Sequence, residues 1–237
     1  MKKSIVFIVC FFCITLSSFS QSKLYGVFEN KTLFQMGLVE DSQGKSVSGP
    51  IRFAPVANYT IQAHKDISGK FGLYTGIGVK NVGFISKYND SLYSEVRVKS
   101  RAYCLSVPLG IKFGNMQEER YFYIAGEFLA QVDYKEKVFI DGDKSKRKND
   151  ADINKINYSG IVGFNMKNFM IGMEYTFGDF YGDNYHLMPA KSNSTYTYGT
   201  PTKSNILTFF IGFRTNLSAK EAAAPEKKQL QQASLYY

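Results

Sequence analysis

From residue 100 to residue 134 the side chains alternate with a period of two, and the two faces call for different solvents. Arg101, Tyr103, Leu105, Val107, Leu109, Ile111 and Phe113 share one face of an extended strand. Ala102, Cys104, Ser106, Pro108, Gly110, Lys112 and Gly114 share the other. After a polar corner at residues 115–120, Phe122, Ile124, Gly126, Phe128, Ala130, Val132 and Tyr134 alternate with Tyr123, Ala125, Glu127, Leu129, Gln131, Asp133 and Lys135. Strands in globular sheets usually have ~5–6 residues, and these run to about a dozen. A tilted strand of ~9–11 residues spans the hydrocarbon of a bilayer. An apolar face opposite a face of small and charged residues suits such a strand.

The first twenty residues have the form of a secretory leader. Lys2 and Lys3 precede an apolar run over residues 5–16, and Ser18 and Ser20 place small residues just before Gln21. The run is shorter than the ~20 residues a membrane helix needs. Its cysteines, Cys10 and Cys13, lie inside it, which leaves Cys104 alone in residues 21–237 and excludes a disulfide framework. Losing Lys2 and Lys3 with the leader takes the formal charge from +9 to +7. In an exported chain that basic balance suits phosphate-bearing lipid or polyanionic glycan, not nucleic acid.

The same alternation divides the remainder. A first strand is expected at residues 32–40, starting as early as Leu24, where neither face is clearly apolar. A Ser/Gly/Lys loop at 41–49 leads to a second strand at 51–64, in which Pro55 marks a bulge. A tight turn at 65–70 opens a third strand at 71–84, with Phe71, Leu73, Thr75, Ile77 and Val79 opposite Gly72, Tyr74, Gly76, Gly78 and Lys80. Residues 86–99 read as a polar loop, and the hairpin then supplies strands four and five, reaching about Ile140. A charged loop at 141–154 precedes strands at 156–166 and 169–180, which the turn Lys167–Asn168 joins. Residues 182–204 form a further polar loop, and a last strand covers 205–217.

Short and long connections therefore alternate strictly, as in outer-membrane barrels with short periplasmic turns and long external loops. A water-soluble barrel would carry its apolar residues inside, whereas these inward faces are Gly-rich and charged. The expected fold is all-β, an eight-stranded antiparallel transmembrane up-and-down β-barrel. Residues 1–20 are its signal peptide, 21–217 the barrel and 218–237 a periplasmic tail. Phe71, Phe113, Phe122, Phe164 and Phe169 cluster beside the short turns, and Tyr103, Tyr134, Tyr158 and Tyr175 lie nearer the long loops. Phe113 and Tyr103 are separated by roughly 25 Å along a tilted strand, the height of an apolar band between two aromatic girdles.

The third strand, the segment from Arg101 to Phe113 and the segment from Glu127 through Tyr134-Lys135-Glu136 together resemble the small outer-membrane β-barrel proteins of Bacteroidetes, the "porin family". Tyr-x-Leu-x-Val-Pro-Leu-Gly at 103–110 carries most of the likeness, which covers residues 32–217. The resemblance implies the fold and the outer membrane, and brings no catalytic residues with it.

Lys80, Lys112, Glu127, Asp133, Glu174 and Arg214 are expected in the lumen as a charge network, since buried charges must be paired. Small inward residues such as Gly72, Gly76, Gly78, Ala102, Ser106 and Gly110 leave room for a polar path beside it. His64 and His186 have no Ser and carboxylate at legible spacing, so neither an enzyme nor a metal or cofactor site is expected. In the external loops Tyr185, Tyr196 and Tyr198 are candidate anchors for a partner. The expected function is a structural or interaction barrel, an accessory subunit of a larger envelope complex. The alternative is a narrow porin-like channel for small solutes. The expected partners are outer-membrane lipid and lipopolysaccharide, and an envelope protein reached through the external loops or the C-terminal tail.

Overall fold

Hydrogen bonding closes the chain on itself. The structure, a computed structural model, describes residues 24–88, 96–140, 143–149, 152–185 and 201–217. The leader at 1–20, the tail at 218–237, His186, Tyr196 and Tyr198 lie outside the described residues. The strands are β1 (Leu24–Glu40), β2 (Ser46–Val47), β3 (Arg52–Ala54), β4 (Tyr59–Asp66), β5 (Phe71–Tyr88), β6 (Val96–Asn115), β7 (Arg120–Ile140), β8 (Asp143–Lys148), β9 (Ile156–Met166), β10 (Phe169–Phe177) and β11 (Lys203–Asn216). Antiparallel pairing runs β11-β10-β9-β7-β6-β5-β4-β1, and β1 pairs back onto β11 from Val27↔Asn216 to Glu40↔Lys203. Eight wall strands thus form a ring with no free edge. β2, β3 and β4 pair in turn with the same side of β1 and share one wall position.

One end of the ring carries tight turns. Phe71 closes the first, donating its amide to Ser68 Oγ at 3.1 Å. Glu119 takes positive φ (56°) in the second, and Lys167 (55°) in the two-residue link from β9 to β10. The other end is longer than the sequence suggests. The loop at 41–49 contains β2, and the loop at 141–154 contains β8, which pairs with β7 from Lys135↔Lys148 to Ile140↔Asp143; at the turn end, β1 begins at Leu24, opposite Lys65. Residues 86–88 and 96–99, expected in a loop, continue β5 and β6 with pairs such as Ile85↔Lys99 and Tyr88↔Val96. The strand expected at 51–64 is broken in two, with Ala57 at φ 62°. Asn58 staples the break: its Nδ2 donates to Ala54 O at 2.8 Å, and its Oδ1 accepts from Asn81 N at 2.8 Å. The strand expected to reach residue 180 stops at Phe177, where Gly178 (φ 80°) turns the chain inward.

The two halves of the barrel obey opposite codes. In the half near the turns, apolar side chains face out: Leu109 is 69% exposed and Phe213 66%. Cross-strand pairs Phe71–Phe113 (5.3 Å between ring centroids) and Phe122–Phe164 (4.6 Å) form an aromatic girdle there. In the half near the loops, the apolar residues turn in. Val39, Phe84, Val96, Val98, Val138, Ile140 and Ile206 form a buried cluster with Phe180, Tyr181 and Tyr185 from the segment after β10. Tyr134, expected in the outer girdle, is 1% exposed inside this cluster.

Candidate functional site

The lumen is the candidate site, because it gathers charges in a place where charge is costly. Alternation on β5, β7 and β10 points Lys80, Glu127 and Glu174 at one another. Lys80 Nζ donates to Glu127 Oε2 and to Glu174 Oε2, all three residues being buried. Lys112 lies nearer the turns and is fully buried. Its ammonium reaches Asp66 Oδ1 at 2.6 Å, Tyr25 OH at 3.0 Å and His64 Nδ1 at 3.2 Å. Arg214 donates to Tyr121 OH and to Asn216 Oδ1 at 3.3 Å. Lys112 and Arg214 both lie against the Tyr121 ring, at 5.1 and 5.4 Å from its centroid. The lumen charges therefore fall into a cluster on Lys80 and another on Lys112 and Arg214, not one continuous network.

Asp133 belongs to neither cluster. Tyr103 pairs with Asp133 but Cys104 pairs with Gln131, so Val132 is an extra residue on β7. That β-bulge reverses the facing of everything after it. Asp133 consequently points out of the barrel, 3.6 Å from Lys148 Nζ. The same reversal brings Tyr134 and Glu136 inside, against the expectation from strict alternation.

Glu136 was not singled out by sequence and holds the loop end together. Its carboxylate accepts from Tyr134 OH at 2.6 Å, Tyr185 OH at 2.5 Å and Arg147 Nη2 at 3.0 Å. Tyr181 stacks on Tyr185 at 3.8 Å. Burial and the Glu136 charge hold the hydroxyls of Tyr181 and Tyr185 well above the ordinary tyrosine range. Tyr185, expected as an external anchor, is 1% exposed and serves as a latch inside the molecule.

Other members also lay beyond the sequence reading. Glu29 Oε2 stands 3.2 Å from Lys31 Nζ and accepts from Gln62 Nε2 at 2.8 Å. Gln62 Oε1 lies 2.7 Å from His64 Nε2, so a line of polar contacts joins β1 through β4 to Lys112. His64 therefore donates from Nε2 and accepts at Nδ1, and its ring stacks on Tyr74 at 5.1 Å. No Ser, Thr or Cys is among these partners.

Of the small inward residues, Gly110 faces an aromatic ring, and Gly163 and Gly172 do the same. A Cβ on Gly110 would lie 2.3 Å from the Tyr74 ring, one on Gly163 2.4 Å from Tyr123, and one on Gly172 2.4 Å from Phe210. Each of these three glycines makes room for an aromatic ring inside the barrel. Tyr74, Tyr121, Tyr123 and Phe210 form a second buried cluster with Leu33, Ala54, Met116, Ala125 and Ile161.

No family model matches the chain, and no curated protein matches it in sequence. Among solved structures it is similar to Neisserial surface protein A, with 13% identity, a TM-score of 0.37, and 83% of this chain and 99% of that one covered. Ail, the attachment invasion locus protein of Yersinia pestis, gives 13%, 0.36, 81% and 99%. The N-terminal β-barrel domain of Pseudomonas aeruginosa OprF gives 9%, 0.31, 82% and 100%. At such similarity the fold assignment rests on the ring of strands itself.

Proposed function

We propose that this chain is an integral outer-membrane barrel, exported by its leader, that acts by contact and not by conduction, as an accessory subunit of a larger envelope complex. Its neighbours there are outer-membrane lipid and lipopolysaccharide, together with an envelope protein met at the loop end or through the tail. Within that class the Tyr103–Gly110 segment supports a place among the small Bacteroidetes barrels. The observation that carries this role is a lumen occupied by packed aromatic and ion-paired side chains, inside a ring whose outer wall is apolar in the half near the turns. Water has no stake in exposed Leu109, Phe122 (65%) and Phe213, whereas hydrocarbon does. A porin needs a continuous wet path, and here the aromatic cluster, the Lys80 ion pairs and the plug of Phe180, Tyr181 and Tyr185 occupy it in turn. Eight-stranded barrels have room for little beyond their own side chains. His64 is held between Gln62 and Lys112, which supports a packing role for it.

Conductance across a planar bilayer tests this. The purified full chain, shown to be inserted by faster migration unboiled than boiled, should give no discrete current steps. Reproducible steps that vanish when Lys80 or Glu174 is replaced would overturn the contact role in favour of a narrow channel.

A further inference from the structure

Above the apolar belt, the outward faces of β6 and β7 place like charges directly opposite one another. Lys99 pairs in register with Lys137 and Arg101 with Lys135, and β8 adds Lys146 opposite Lys137. Such pairs destabilise a sheet. Their mutual repulsion is felt at Lys137, whose affinity for its proton is lowered by Lys144, then by burial, then by Lys135 and Lys146. Among the described residues no carboxylate bridges to Lys99, Arg101, Lys135 or Lys137. On the same strand Asp133 is engaged by Lys148, and Glu136 is turned inward to Arg147. These four cations line a groove of about 230 Å³ together with Arg52, Phe53 and Ile85. Gly83 lies opposite Arg101, with no room for a Cβ, which would come 2.2 Å from Ser100 O.

We infer that this groove holds the phosphates of a membrane-embedded lipid whose acyl chains lie along the belt beneath it. The inference rests on the outer-membrane reading. Two features favour a lipid over a free polyanion. Phe53 and Ile85 give the groove an apolar wall, and Tyr103 and Leu105 continue β6 from Arg101 straight into the belt, four residues or roughly 13 Å along the strand. The volume is below the ~300–1,000 Å³ usual for a whole small-molecule ligand, so the groove takes a headgroup's charged part and leaves the rest outside. Cations at this height meet lipid phosphate without crossing hydrocarbon.

The test uses the full chain in phosphatidylcholine nanodiscs, with the bis-phosphorylated glycolipid lipid A, its dephosphorylated form, or a soluble heparin fragment as probe, and native mass spectrometry as readout. The parent should retain lipid A in preference to the dephosphorylated lipid. The variant with Lys99→Gln, Arg101→Gln, Lys135→Gln and Lys137→Gln should lose at least about tenfold of that retention. A control with Lys45→Gln, Lys70→Gln, Lys155→Gln and Lys167→Gln should keep it. Because the groove variant relieves repulsion, it should resist urea at least as well as the parent when no phosphorylated lipid is present. Equal retention by parent and groove variant, equal loss in the control, or indifference to dephosphorylation would each overturn the inference while leaving the barrel standing. Displacement of lipid A by the heparin fragment would overturn it in favour of a free glycan. Failure of the parent to enter discs at all would instead overturn the outer-membrane reading.

Discussion

Lys80 stands between two carboxylates, so the three residues of that cluster are not equivalent. Replacing Lys80 with Met would leave Glu127 and Glu174 buried, unpaired and facing each other, at a cost of about 3–5 kcal/mol. Glu174→Gln leaves Lys80 its bond to Glu127 and should cost clearly less. Urea titration of folding into lipid vesicles measures both, and an equal or reversed ranking would mean that Lys80 does not bridge the pair. Parity along clean strands was enough to place Lys80, Lys112, Glu127, Glu174 and Arg214 on inward positions. Glu29 and Lys31 escaped because Tyr25, Val27 and Leu33 make the inner face of β1 as apolar as its outer one. Glu136 escaped for another reason, which belongs to its strand.

Strand β7 changes face without any local mark in its sequence. Phe128, Ala130, Val132 and Tyr134 continue an unbroken apolar series, and the bulge inserts Val132 into it. Only further on does the pattern show the change, where Val138 and Ile140 are apolar and Lys135 and Lys137 are basic. Deleting Val132 should restore the register of the lower barrel and swing Tyr134, Glu136 and Val138 into water, with Lys135 and Lys137 turned inward. Limited trypsin digestion in detergent should then cut between Lys135 and Lys148 at rates the parent does not show, while the shift between unboiled and boiled chain survives. Val132→Ala keeps the extra residue and should behave as the parent. A deletion variant as resistant as the parent would mean that the bulge does not set the facing of the upper strand. The interruption between β3 and β4 was easier to anticipate, because Pro55 removes a donor there, but the stapling by Asn58 is a tertiary contact with Asn81 that no sequence window contains.

At the scale of the whole molecule, the exchange of apolar and charged faces partway up the barrel marks where lipid ends and water begins. Extensions of β5 and β6 read as loop in the sequence for this reason: judged by the lipid code, Lys87, Arg97 and Lys99 look like loop residues. Judged by the water code, Ser86, Tyr88, Val96 and Val98 between them are the inner face of a strand. The exchange also sets an orientation that can be tested without reference to the lumen. On the proposed outer-membrane reading, the tight turns should lie in the periplasm and the water-coded half outside. Cys104 is 5% exposed inside the wall, so the unaltered chain should not react with a membrane-impermeant maleimide. Lys45 lies in the exposed turn after β1, where its amide donates to Asp41 Oδ1 at 2.8 Å, a bond that a new side chain does not disturb. Lys70 lies exposed in the turn between β4 and β5. Lys45→Cys should label on intact cells, and Lys70→Cys only after the outer membrane is opened. Labelling of Lys70→Cys alone on intact cells would turn the barrel over and put the basic groove in the periplasmic leaflet. Labelling of both before opening would place the chain outside the membrane altogether.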